Sequence, residues 1–198
     1  MGKLRVEIVF SDETFSFDKD SGLMNVAITN QSMADNTLPT YDIINAFGSL
    51  EIIDSDGSLF DYIAQTSLMG GSIINIYSDG VLKYKFESSR DWKYDVYDRS
   101  CKIQLYSNIT KWQNVKVVKK DITYNVTAYD VYIYLKGLSG NYNFVISEED
   151  IAFMQSISIP YFYLEENSLW EQWRKLCQLT QSQVYQDIES NVVVKRFQ

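Results

Sequence analysis

Apolar and polar residues alternate along much of this chain, and a period of two predicts strands with one face on a core. Leu4, Val6, Ile8 and Phe10 make the first such run, and Met24, Val26 and Ile28 make another. Between them, residues 11 to 20 are polar and acidic with Phe15 and Phe17 on either side of Ser16, which suits either a second strand or an arm. Leu50 to Ile53 reads as a strand that ends in the turn Asp54-Ser-Asp-Gly57, whose carboxylates form the turn rather than bind metal. The strongest pattern lies between Gly71 and Leu105. There Asp79-Gly80 separates two runs rich in Ile, Val, Tyr and Phe, so residues 72 to 86 are predicted to form a hairpin. Asp-Gly suits its turn because both central residues of a type I′ turn need φ > 0. Leu82, Tyr84 and Phe86 alternate with charged neighbours, as Cys101, Ile103 and Leu105 alternate with Lys102, Gln104 and Tyr106, which adds a third strand to an antiparallel meander.

Four places break this period in the same way. Ser58 with Asp61, Thr127 with Asp130, Ser147 with Asp150 and Ser168 with Glu171 each set a hydroxyl three residues before a carboxylate, ahead of an apolar pattern. Such a pair can satisfy the orphan N–H groups that open a helix, so four short helices are predicted. The last is clearest: Leu169, Trp170, Trp173, Leu176, Cys177 and Thr180 share one stripe, and the two Trp on it read as core. Residues 127 to 137 carry two signals, since Val131, Ile133 and Leu135 alternate like a strand; the cap at Thr127 and a stop at Gly137 favour a helix. Val184-Tyr185, residues 187 to 190 and Val192 to Phe197 read as strand, turn and strand, and residues 31 to 36 are the best linker candidate.

A length of 198 residues permits one large domain or two small ones, and 15% aromatic content favours β structure with extensive packed surfaces. The formal net charge of −8 argues against a protein that grips a nucleic-acid duplex, which takes clustered Lys and Arg; the short run Lys116 to Lys120 reads as a solvated strand face. Histidine is absent, which removes the usual base of Ser and Cys hydrolases and the commonest zinc ligand. Cys101 and Cys177 fall at apolar positions and read as buried free thiols, with one disulfide between them as the alternative. No apolar run is long enough to span a bilayer, and Met-Gly-Lys-Leu-Arg-Val-Glu lacks the apolar core of a signal peptide. A soluble protein that is not exported by the standard route is expected, with no membrane insertion.

The motifs of nucleophile elbows, phosphate loops, dinucleotide folds and Cys-based metal sites are missing from the sequence. Asp18-Lys-Asp-Ser-Gly22 begins like a calcium loop but lacks its remaining ligands, so a turn is expected. Glu148-Glu149 and Glu165-Glu166 are the only candidates for paired-carboxylate chemistry, and the first pair is already explained by a helix N-terminus. No catalytic, cofactor-binding or metal-binding residue is therefore predicted, and no enzyme. Tyr124 to Tyr134 and Tyr161-Phe-Tyr163 can stack on sugars, although core or subunit interface is the commoner role of such residues.

The order of features resembles a known family. Leu38-Pro-Thr-Tyr through Asp54-Ser-Asp-Gly57, a short helix, the Asp79-Gly80 hairpin, Ser89-Arg-Asp-Trp-Lys-Tyr-Asp95, Cys101-Lys-Ile-Gln-Leu105 and Thr110-Lys-Trp-Gln113 are similar to the N-terminal part of tail hub (baseplate hub) proteins of tailed bacteriophages and related injection machines. So is the ending, a helix from Leu169 to Thr180 leading into Val184-Tyr-Gln-Asp187 and Val192-Val-Val-Lys-Arg196. The resemblance covers residues 38 to 197. It implies an α+β, mostly antiparallel β chain with small barrel-like tube domains and a few short helices. Residues 1–37 would be N-terminal strands or an arm and 38–198 the hub-like region, either one module or two small ones with the second from about residue 107. It further implies a structural virion protein, assembled in the host cytoplasm as a ring, a trimer, that joins the tail tube to distal tail proteins. The alternative is a receptor- or carbohydrate-binding tail module that uses exposed aromatics.

Overall fold

Val6 and Ile8 on the first strand and Leu50 and Ile52 on the fourth are fully buried, so the period of two places these side chains where the pattern requires. The computed structural model describes residues 3–32, 43–66, 72–90, 92–118, 120–164 and 167–196. Of the linker candidate, Gln31 and Ser32 end the third strand, while 33–36 and Leu38 to Tyr41 lie outside the described residues. The chain divides into two units, residues 1–30 with 46–108 and residues 31–45 with 109–198.

The first unit contains β1 (Leu4–Val9), β2 (Thr14–Asp18), most of β3 (Leu23–Ser32) and of β4 (Ile43–Ile53), α1 (Ser58–Thr66), β5 (Ile73–Ser78), β6 (Val81–Ser88), β7 (Lys93–Asp95) and β8 (Ser100–Tyr106). Its strands run β4-β8-β6-β5-β1-β2, with β3 against β4 and β7 against β8. The pairs β4–β8, β8–β6, β6–β5, β5–β1, β1–β2 and β7–β8 are all antiparallel. Asp79 and Gly80 take φ of 52° and 77°, the conformation expected of the hairpin turn. β8 alternates as the sequence implies, with Cys101, Ile103 and Leu105 fully buried. β6 departs from its pattern. A register shift between Ile76 and Tyr77 breaks the phase at Leu82, which stays partly exposed; Tyr84 keeps the face of Phe86 yet is 36% exposed, so only Phe86 of the three is buried.

Helix α1 begins where expected but is capped differently. Asp54, almost completely buried at the end of β4, accepts from the backbone N–H groups of Phe60 (2.9 Å) and Leu59 (3.4 Å), and Ser58 instead donates its hydroxyl to Asp56. The carboxylate arrives from the preceding turn rather than from within the helix, and it satisfies two orphan donors at once. Asp54→Ala removes the partner of both N–H groups, of which that of Leu59 is buried. The expected loss is about 2 kcal/mol in urea unfolding followed by Trp fluorescence.

The second unit contains most of a 3-10 turn over Asn108–Gln113, β9 (Lys120–Thr127), α2 (Ala128–Leu138), β10 (Phe144–Ile146), α3 (Glu148–Ser156), β11 (Ser158–Leu164), α4 (Leu169–Thr180), β12 (Ser182–Gln186) and β13 (Val192–Arg196). β10 pairs parallel with β13, β13 antiparallel with β12, and β12 parallel with Ile43 and Ile44 of β4, while β9 and β11 form a separate antiparallel ribbon. The helix reading of residues 127 to 137 holds, because Thr127 and Asp130 form a complete capping box. Those bonds from Thr127 hold the Asp130 carboxyl below its usual range. Ser147 and Ser168 accept from the N–H groups of Asp150 and Glu171 as expected. Trp112, Trp173 and Phe144 stack face to face at 5.4 to 6.2 Å, with Tyr132 edge-on to Trp173 at 6.0 Å. The two Trp of α4 are therefore core, as read from their stripe.

The fold is α+β with mostly antiparallel strands and short helices, and the strands close no barrel among the described residues. Neither Cys101 nor Cys177 is in a disulfide, and both are buried. Among the described residues, no helix is long and apolar enough to cross a membrane.

Candidate assembly surfaces

Of the acidic groups that raised the question of catalysis or metal binding, Glu149 and Asp18 have structural partners. Glu148 and Glu149 open α3, where carboxylates favour the helix N-terminus, and Glu149 accepts from the Arg196 guanidinium at 2.9 Å. That guanidinium also lies 4.3 Å from the Phe153 ring centre. Glu165 and Glu166 lie outside the described residues. Asp18 closes a turn on itself: its Oδ1 accepts from the N–H groups of Asp20 and Ser21 and from the Ser21 hydroxyl, at 2.8 to 3.0 Å. Burial, with the Asp54 carboxylate adding to it, pushes the Cys101 thiol up to about 12, which keeps it protonated and a poor nucleophile. Among the described residues, no three Cys, Asp or Glu side chains gather as a metal cluster.

What remains is surface, and among the described residues most of its exposed aromatic side chains are tyrosines. All four Trp are buried, so no Trp platform faces solvent. On the β9–β11 ribbon, Tyr161 stands opposite Tyr124, and Tyr161 and Tyr163 share a strand face with rings 6.4 Å apart and 12° from parallel. All three are exposed, Tyr124 at 68%. Beside the ribbon, α2 and α4 leave a groove of about 250 Å³. Val131 and Leu135 of α2 and Lys175, Leu176 and Leu179 of α4 line it, together with Ile159, Tyr161, Phe162 and Tyr163 of β11.

In the first unit the most exposed large hydrophobics among the described residues lie in the turn Val96–Arg99 that joins β7 to β8. Tyr97 is 98% exposed and Val96 65%, an apolar pair set in open solvent. The turn is fixed at its base. Asp95 Oδ1 accepts from the Tyr97 N–H at 2.9 Å, Asp54 donates its N–H to the Arg99 carbonyl at 2.8 Å, and the Arg99 guanidinium donates to the Ser55 carbonyl. Around it, Glu51, Lys93, Asp98 and Lys102 make a polar surround, with Lys102 and Glu51 paired at 3.0 Å. Sequence reading singled out the tyrosines of the ribbon but passed over Tyr97. Its signal is Asp95-Val-Tyr-Asp98, an apolar pair bracketed by turn-forming Asp between two strands, where no sheet face is available to bury it.

No family model and no curated protein matches the chain. Solved structures do. The 43 kDa tail protein of prophage MuSo2 from Shewanella oneidensis superposes with a TM-score of 0.56 at 10% identity, over 99% of this chain and 56% of that one. A tail protein from Neisseria meningitidis MC58 gives 0.59 at 8% identity, over 96% and 50%. A chain of the Francisella PdpA–VgrG complex, in its lidded form, gives 0.52 at 10%, over 98% and 28%. This chain thus spans about half the length of the two tail proteins, and at such identities the likeness establishes a shared fold with phage tail proteins.

Proposed function

We propose that this chain is a structural component of a phage tail tip or baseplate hub, assembling into a ring that joins the tail tube to distal tail proteins. The observation that carries the reading is the continuous likeness to tail proteins over nearly the whole chain. The exposed tyrosines and the apolar groove support it, because a chain that works by association must present such surfaces. The third likeness is to a protein found in complex with a partner, which supports association with other proteins of the same machine. Trimeric assembly, non-enzymatic action, two modules within the hub-like region and a place in the virion tail belong to the same proposal. Labelling tail particles with an antibody to this chain and imaging them by electron microscopy is expected to mark the tail tip alone. Label along the tube or on the capsid, or none on the tail, overturns the reading.

A second reading takes its support from the Tyr124, Tyr161 and Tyr163 ribbon, whose exposed rings can stack on sugars. Binding on a glycan array that Tyr161→Ala abolishes would favour it over assembly alone.

A further inference from the structure

The exposed tyrosines of the β9–β11 ribbon stand in an uncharged setting, since residues 123–129 and 156–164 contain no Asp, Glu, Lys or Arg. We propose that their face takes an uncharged, extended glycan, a linear chain of pyranose rings joined through equatorial bonds and laid along β11. The inference rests on the sugar-stacking reading above and adds the class of glycan to it.

The geometry sets that class. Tyr161 and Tyr163 follow one another on one face of β11 with rings 6.4 Å apart and 12° from parallel, and Tyr124 stands across from Tyr161 on β9. The two rings on β11 are separated by about the length of one pyranose residue, so successive sugars can meet successive rings. A pyranose with equatorial substituents turns its axial C–H groups to the ring face, which makes a flat apolar surface that packs on an aromatic ring. Equatorial linkages keep such a chain straight. An axial linkage bends it and carries the next sugar away from the tyrosines.

Area, edges and charge each argue against a macromolecule of another kind on this face. An aromatic side chain buries roughly 150–250 Å², so three rings exposed at 68%, 58% and 44% offer on the order of 300–400 Å², about half of the roughly 800 Å² per partner of a stable protein interface. Pro160 brings a residue without an N–H into β11, and Asn125 in β9 takes φ of 54°, features that discourage a further strand from pairing onto a ribbon. Single-stranded nucleic acid also stacks on aromatics, but it needs cations along its backbone. Lys116, Lys119 and Lys120 precede the tyrosines in sequence and Lys175 lines the adjoining groove; none falls among residues 123–127 and 158–163, the stretch that carries the rings.

Saturation-transfer NMR titrations of the full chain test the proposal with four hexasaccharides. Cellohexaose and chitohexaose are neutral and equatorially linked, maltohexaose has an axial bond in each linkage, and a heparin hexasaccharide is a polyanion. Cellohexaose or chitohexaose is expected to bind roughly tenfold more tightly than either of the other two. Tyr161→Ala and Tyr163→Ala are each expected to weaken that binding roughly tenfold with circular dichroism unchanged, while Tyr161→Phe, which keeps the ring, and Tyr97→Ala, which removes an exposed tyrosine of the other unit, leave it as it is. Maltohexaose or the heparin hexasaccharide bound as tightly as the equatorial chains overturns the proposal, and so does no binding of any of the four. If a glycan array still shows binding that Tyr161→Ala abolishes, the sugar-stacking reading survives either result. Binding indifferent to Tyr161 and Tyr163, or an array with no bound glycan, removes both; a second copy or another protein seated on this face gives that last outcome.

Discussion

Trp173→Ala is expected to destabilise the second unit by about 3–5 kcal/mol, the range for deleting a large aromatic from a packed core. Trp173 has no exposed surface and stacks on Trp112 at 5.4 Å and Phe144 at 5.6 Å. Its indole N–H also donates to the Ser139 hydroxyl at 2.9 Å, and that hydroxyl in turn donates to the Leu135 carbonyl, which ties α4 to the end of α2. Truncation therefore leaves a cavity among rings that cannot collapse onto a methyl group. Trp173→Phe keeps a ring in place and gives up the hydrogen bond, and is expected to cost about 1–2 kcal/mol. Urea unfolding followed by circular dichroism at 222 nm checks both. Equal losses for the two variants would mean that the polar link, not the ring stack, holds the helices.

Gly22→Ala is expected to cost about 2–5 kcal/mol in the first unit, from two effects that add. Gly22 has φ of +100°, a conformation costing an L-residue about 1–3 kcal/mol. A Cβ there would also lie 2.1 Å from the carbonyl oxygen of Ile53, a backbone atom in a buried strand that cannot swing aside. The close approach is structural, since Ile53 donates its N–H to the Gly22 carbonyl at 2.7 Å where β3 meets β4. Gly80→Ala is the control. Its φ of +77° imposes strain alone, with nothing within 4 Å of the added carbon, and about 1 kcal/mol is expected. Comparable losses at the two sites would show that backbone strain, and not the contact with Ile53, dominates at Gly22.

Much of the local structure was legible. The Asp79-Gly80 turn, the Thr127 capping box, the buried stripe of α4 and the strand-turn-strand ending after residue 184 follow from groups within a few positions of one another. The Asp54 cap was less so, because Ser58 and Asp61 have the right spacing and only the path of the preceding turn decides which carboxylate reaches the helix. The exposed aromatics were half legible. Tyr161 and Tyr163 share a parity that puts them on one face, whereas the exposure of Tyr97 depends on β7 and β8 ending together with nothing packed above them.

By itself the sequence determined the Asp79-Gly80 hairpin, the helix openings at Thr127, Ser147 and Ser168, and that the two tryptophans of α4 are core. Periodicity, capping and composition are properties of neighbouring residues, so they need no fold to be read. Tertiary structure alone decided that β1 lies beside β5 and β4 beside β8, where β6 loses its phase, and that Tyr97 stands in solvent while a groove remains between α2 and α4. Strand pairing is made by backbone groups that every residue carries alike. Partner and register are therefore chosen by how whole elements bury one another.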